Sequence, residues 1–224
     1  MRANVTVILS ILCIGAAMAQ EENTTNYGSL TGAYGEREGS ASVEFFHNWK
    51  LGKSRKFLIG IGGRFTSYFG SDHYFSSAPA SLASDDTKSD SLLLPSSNIF
   101  ALNAAINLAY RITDKFDVGF DIDAIGLSFG GKQDGFYLNG NMGQATMASP
   151  TSFNVLLIGN NDRGTLNSEF YIRYFFKENL GIKVAYQYLF TEYTTDTAVQ
   201  QVPEANDRFR HKAQMVSLGI TKVF

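Results

Sequence analysis

The sequence predicts an all-β protein that forms a transmembrane antiparallel up-and-down β-barrel, with short turns at one end and long loops at the other. Three observations predict this fold: an N-terminal export signal, repeated segments in which apolar and polar residues alternate, and a last strand that ends on the aromatic Phe224. Alternation with a period of two places the apolar side chains on one face of a strand, where they suit lipid. The polar side chains then face a lumen.

Residues 1–19 have the three parts of a secretory signal peptide. Arg2 supplies positive charge, Val5 to Ile14 is apolar, and Ala17-Met18-Ala19 is a small-residue cleavage site before Gln20. We therefore expect a signal peptide at 1–19 and a barrel domain at 20–224. The apolar run is too short to span a bilayer as a helix. Cys13 leaves with the signal, so the mature chain is expected to contain no thiol.

The average composition conceals the membrane character. The chain is 44% hydrophobic and 18% charged, with a mean hydropathy of -0.09, because lipid-facing and lumen-facing residues cancel along each strand. The formal net charge is -2, and we find no basic patch, zinc-ligand cluster or phosphate-binding glycine loop. We therefore expect no nucleic-acid partner, no cofactor and no metal site.

Seven segments alternate over a length that suits a tilted membrane strand, which needs about 10 residues. They are Ser40 to Trp49, Phe57 to Phe69, Ile99 to Arg111, Phe116 to Phe129, Thr165 to Phe176, Leu180 to Tyr193 and Phe209 to Phe224.

The connections between these segments set the topology. Short connections belong at the periplasmic end of such a barrel and long loops belong outside. If the last strand runs toward the periplasm, counting back along the chain makes Ser40 to Trp49 run toward the periplasm as well. A strand that runs outward must then precede it, and Tyr27 to Tyr34 is the candidate, followed by a brief outer hairpin at Gly35 to Gly39. Eight strands are favoured, with ten as the alternative. The short connections are Leu51 to Lys56, Ile112 to Lys115 and Lys177 to Asn179; the long ones are Ser71 to Asn98, Gly130 to Gly164 and Thr194 to Arg208.

Hairpin parity predicts which polar residues face each other. Residues opposite each other share a face, and this places Glu44 opposite Arg64, Asn107 opposite Asp121, Glu169 opposite Gln187, and Arg173 opposite Lys183. In so narrow a barrel these side chains would pair across the lumen, with Asp121 or Asp123 as the acid for Arg173 and Lys183. A gated polar path is the alternative. The predicted lumen network comprises Glu44, Arg64, Asn107, Asp121, Asp123, Glu169, Arg173 and Lys183.

With these features the chain resembles the small bacterial outer-membrane β-barrel families, whose eight-stranded members include the OmpA and OmpX types. The resemblance covers nearly all of the mature chain and rests on the signal peptide, the alternation, the loop asymmetry and Phe224. One residue departs from it: Lys222 stands two positions before the end, where such families usually carry an aromatic or apolar residue. It implies a place in the Gram-negative cell outer membrane, with outer-membrane lipid and the barrel-assembly machinery as partners. It also implies that Phe224 is the assembly signal.

Two of the long loops have unusual composition. The loop from Gly130 to Gly164 contains an apolar run expected to extend a hairpin, to cover the barrel mouth as a lid, or to contact an outer-surface protein or an apolar ligand. The loop from Ser71 to Asn98 is rich in Ser and Asp and is expected to be mobile and solvated. The contact residues of the apolar run would be Phe153, Val155, Leu156, Leu157 and Ile158.

The expected function is a structural, surface-recognition or assembly role. The first alternative is passage of small or apolar solutes. The second is a lipid-modifying or peptide-cleaving enzyme, since His73 and His211 fall at predicted outer strand ends. Neither histidine lies in a motif of a known barrel enzyme, so we expect no catalytic residues.

Overall fold

The computed structural model describes residues 23–139 and 142–224, and the predicted signal peptide lies outside these ranges. Within them, the strands form one antiparallel sheet. A short helix, α1, spans Ala80–Ala83, and a single 3-10 turn spans Gly159–Asn161. The strands are β1 Thr24–Gly35, β2 Glu38–Leu51, β3 Phe57–Ser77, β4 Ser91–Thr113, β5 Phe116–Phe129, β6 Gln133–Asn139, β7 Met142–Pro150, β8 Phe153–Val155, β9 Leu166–Lys177, β10 Leu180–Thr195 and β11 Arg208–Val223.

Eight of the described strands close into a ring, which confirms the predicted architecture. The ring runs β1-β2-β3-β4-β5-β9-β10-β11 and returns to β1, where Tyr27 pairs with Val223 of β11. The weakly patterned segment Tyr27 to Tyr34 is therefore a barrel strand. The other described strands, β6 to β8, lie in the predicted loop Gly130 to Gly164.

The hairpin registers agree with the sequence prediction. Leu51 pairs with Phe57 as predicted. In the other two short hairpins a tight two-residue turn is followed by a register shift, at Ile112 in β4 and at Phe176 in β9. Beyond that shift the predicted register holds along the β9–β10 pairing, and along β4–β5 as far as the pair of Ala105 with Asp123, where a second shift follows. The predicted cross-strand pairs all occur: Glu44 with Arg64, Asn107 with Asp121, Glu169 with Gln187, and Arg173 with Lys183.

The exterior of the ring is an apolar belt. Leu102, Ile106 and Tyr110 of β4 are 57%, 39% and 47% exposed, and neighbouring strands present similar residues outward. A continuous apolar surface of this extent is unstable in water, whereas lipid covers it without cost. The barrel is therefore a transmembrane one. Separately, among residues 23–139 and 142–224, no helix has the length and apolar character needed to span a membrane.

Beyond the apolar belt, on the side of the long connections, the barrel continues as a packed region, here called the outer extension. The β1–β2 hairpin turns at Gly35 and Glu38, while β3 and β4 continue to Ser77 and from Ser91. Over that short hairpin β3 meets β11 directly, with Phe209 opposite Ser77. The expectation that all of Ser71 to Asn98 is a mobile solvated loop is wrong, because its two ends pair as strands. An apolar core fills the extension, formed by Tyr68, Phe75, Leu92, Leu94, Ile99, Tyr137, Ala148, Leu189, Tyr193, Val199, Phe209, Ala213 and Met215.

The apolar run of the long loop begins in the barrel wall. β5 pairs with β9 only as far as Ile122. Beyond it β5 pairs with β8 instead, with Leu127 opposite Phe153 and Ile125 opposite Val155. These four side chains share the outward face, so the first part of the run extends the wall and is not a lid over the mouth.

Candidate functional site: the charged lumen and the outer rim

Arg64 on β3 is the centre of the lumen network. It is fully buried, and its guanidinium contacts three carboxylates. Nε lies 3.3 Å from Glu44 Oε2, Nη1 lies 3.0 Å from Asp123 Oδ1, and Nη2 contacts Asp121. Glu44 belongs to β2, whereas Asp121 and Asp123 belong to β5. Arg64 therefore links the strand next to β3 with the strand on the far side of β4.

Lys183 on β10 is the second cation of this layer. Its Nζ lies 2.6 Å from Glu44, 3.2 Å from Asp121 and 2.7 Å from Glu169. These three carboxylates lie close enough together to suggest a metal site, but the ammonium already occupies the space between them. Asp123 is further satisfied by Asn103 Nδ2 at 2.7 Å and by the Asn167 backbone N–H at 3.0 Å.

Arg173 and Asp117 form a separate pair nearer the end of the barrel that carries the short turns. The guanidinium donates from Nε at 2.8 Å and from Nη2 at 3.2 Å, so the pair is bidentate. The Tyr27 ring lies 3.9 Å from the Arg173 Cζ. The expectation that Asp121 or Asp123 neutralises Arg173 is wrong, because Asp117 stands directly opposite it in the β5–β9 pairing.

The eight predicted network residues do not form one continuous cluster. Asn107 is set apart from the charges, with its Nδ2 donating to the Tyr171 hydroxyl at 2.7 Å. Each of the eight is at most 4% exposed. In the described part of the chain these groups pack against other side chains and do not line a water-filled bore.

A second set of titratable groups, here called the outer-rim cluster, lies where β3 meets β11 above the hairpin. It consists of Glu38, Tyr68, His73 and His211. Glu38 Oε2 lies 3.0 Å from His211 Nε2 and 3.6 Å from His73 Nε2, and it accepts a hydrogen bond from the Tyr68 hydroxyl at 2.8 Å. The two imidazole rings are 4.4 Å apart.

Local backbone geometry aims these groups inward. Asp72 has a φ of 55°, and around it the inward-facing positions of β3 change from even to odd numbers, so that His73 follows Gly70 on the buried face. Glu38 is the first residue of β2 and shares its inward face with Ser40, Ser42 and Glu44. The cluster therefore sits at the outer end of the lumen, beyond the membrane span.

The electrostatics of the outer-rim cluster follow from burial and close contact. Burial raises the pKa of Glu38, but hydrogen bonds from His211 and Tyr68 outweigh it and hold the pKa below the ordinary value. Burial and the neighbouring His211 lower the pKa of His73, so its imidazole is neutral near pH 7. The Glu38 carboxylate thus faces at least one neutral imidazole, that of His73.

The sequence prediction missed several of these residues. Glu38 has the parity of Glu44, and Asp117 has the parity of Asp121, so both could have been assigned to the lumen. Glu192 is fully buried and bonds Arg208 at 2.9 Å and Arg210 at 2.8 Å. Its parity places it on the outward face of β10 and so gave no signal of that burial. Arg210, one of its two partners, also donates to the backbone carbonyl of Asp162.

The five predicted loop-contact residues lie in different environments, some in the barrel wall and others exposed. Phe153 and Val155 belong to the wall strand β8. Leu156 donates its backbone N–H to Ala124 at 2.8 Å and so remains attached to β5. Leu157 and Ile158 follow as exposed residues, at 56% and 81%.

No protein-family model matches the chain, and no curated protein sequence matches it. Among solved structures, Neisserial surface protein A is similar at 9% identity and a TM-score of 0.40, with 90% of this chain and 96% of that chain covered. Ail of Yersinia pestis is similar at 11% identity and 0.40, covering 91% and 100%. A major outer membrane protein of Thermus thermophilus is similar at 10% and 0.41, covering 90% and 99%. Likenesses at these identities and TM-scores say nothing of function.

Proposed function

We propose that the protein is an integral barrel of the Gram-negative cell outer membrane with a sealed lumen. Its role is structural, in surface recognition or in assembly, and it has no catalytic step. The observation that carries the proposal is the charged layer at the level of Arg64, where the two cations of the described chain, Arg64 and Lys183, are both paired with carboxylates and buried. A pore needs hydrated charges, whereas buried and mutually bonded charges seal a narrow barrel.

The outer extension supports an outward-facing role. Its strands, its apolar core and the bonds of Glu192 to Arg208 and Arg210 give the extracellular end a defined shape. Such a shape presents a rigid surface to the exterior. The proposed partners are outer-membrane lipid around the belt, the barrel-assembly machinery during insertion, and an outer-surface protein or apolar ligand at Leu157 and Ile158.

Single-cysteine labelling tests this orientation. The chain from residue 20 onward has no cysteine, so Ala205→Cys, in an exposed outer connection, and Ser54→Cys, in the exposed β2–β3 turn, each introduce one thiol. On intact cells a membrane-impermeant maleimide should label Ala205→Cys at least tenfold more than Ser54→Cys, and lysis should equalise them. Equal labelling before lysis, or the reverse preference, would contradict the proposal.

A further inference from the structure

We propose that Glu38, His73 and His211 bind a divalent transition-metal ion of the Zn²⁺ type at the outer rim. Two imidazoles and one carboxylate are the donor set of zinc sites that keep one coordination position open. Nothing in the sequence pattern brings these residues together, because they belong to β2, β3 and β11. The site is additional to the proposed barrel function and does not depend on it.

The distances between the donor atoms fit a small ion. One Glu38 oxygen lies 3.0 Å from His211 Nε2 and 3.6 Å from His73 Nε2, and the three donor atoms all lie within 4.8 Å of one another. Ligand atoms about 2 Å from a tetrahedral zinc are separated by about 3.3 Å. A small closure of the two rings around the ion therefore completes three-point coordination.

An unsatisfied buried nitrogen points independently to a ligand. His73 is 8% exposed, and its Nε2 has no hydrogen-bond partner among residues 23–139 and 142–224. Such orphaned groups are uncommon in folded proteins and cost free energy. This nitrogen faces the Glu38 carboxylate, so a cation bound between them would satisfy both groups.

The surroundings hold the donors in place. The Tyr68 hydroxyl bonds the Glu38 carboxylate at 2.8 Å and orients it, as the outer-shell partners of metal ligands commonly do. The buried Phe75 ring lies 5.5 Å from the His211 ring and limits its rotation. The His211 side chain is 19% exposed, so the site is open to solvent on that side.

The carboxylates of the lumen differ from the outer-rim cluster, because a cationic side chain already lies between them. Glu44, Asp121 and Glu169 also converge, but Lys183 Nζ stands 2.6 to 3.2 Å from each of them. In that cluster the Lys183 ammonium takes the place that a metal ion would need. In the outer-rim cluster, no lysine or arginine is bonded to Glu38 among the described residues.

The test is metal binding by untagged protein, residues 20–224, refolded in detergent. Zn²⁺ titrated by calorimetry should bind with a stoichiometry of one, and His73→Ala, His211→Ala and Glu38→Gln should each weaken it at least tenfold. His47→Ala is the matched control, because this third histidine bonds Asn26 at 2.8 Å near the opposite end of the barrel. It should leave the affinity unchanged. The folded state of each variant is checked by the shift in gel mobility on heating.

Co²⁺ bound to the unmodified protein gives a readout that needs no variant. An intense visible absorption typical of tetrahedral coordination is expected, and it should disappear when Zn²⁺ is added. Absence of stoichiometric Zn²⁺ binding, a weak octahedral cobalt spectrum, or an equal loss of binding in His47→Ala would each overturn the proposal.

Discussion

The Arg64→Ala barrel is expected to unfold with a free energy about 3 to 5 kcal/mol below that of the parent protein. The substitution leaves the carboxylates of Glu44, Asp121 and Asp123 without their shared cation, in a site where none of them reaches water. Urea unfolding from lipid vesicles measures the change. Trp49, the single tryptophan, supplies the fluorescence signal.

The control for Arg64→Ala is an exposed ion pair of the same chain. Lys132 bonds Asp196 at 2.7 Å, with both side chains about half exposed, so Lys132→Ala should cost at most about 1 kcal/mol. Arg64→Lys keeps the charge and loses the forked geometry, and should fall between the two. If Arg64→Ala and Lys132→Ala lost the same free energy of unfolding, the lumen charges would not be sealed from water.

Arg173→Met is the second large effect, at about 3 to 5 kcal/mol, because it leaves Asp117 charged and buried. The double variant Arg173→Met with Asp117→Leu should be more stable than Arg173→Met alone, since an apolar pair of similar size needs no counter-charge. The same urea titration gives the coupling free energy between the two positions. Additive losses in the double variant would show that the two side chains do not act as a pair.

Most of the membrane-spanning part of the fold could be predicted from the sequence. Alternation located the strands, and the short hairpins fixed their register, because a shift by one residue would turn Phe57 or Ile182 into the lumen. The same parity placed Glu44 and Arg64 opposite each other. β1 was found by counting strands, even though the two glycines within Tyr27 to Tyr34 weaken its pattern.

The rest depended on strands that are distant in sequence. Hairpin parity gives no register for β5 against β9, since a long connection separates them, and so the sequence did not assign Asp117 to Arg173. Similarly, β3 and β11 meet only because the β1–β2 hairpin is short, and that meeting brings His73 to His211. The Ser-rich composition of residues 71–98 concealed the buried Leu92 and Leu94, which extend β4 outward.

Single-channel recording of residues 20–224, folded into a planar bilayer, tests the sealed lumen most directly. The paired charges around Arg64 and Lys183 predict a folded barrel that passes no steady current. Steady unitary openings whose conductance changes in Arg64→Ala would contradict this and would identify a polar solute path through the barrel.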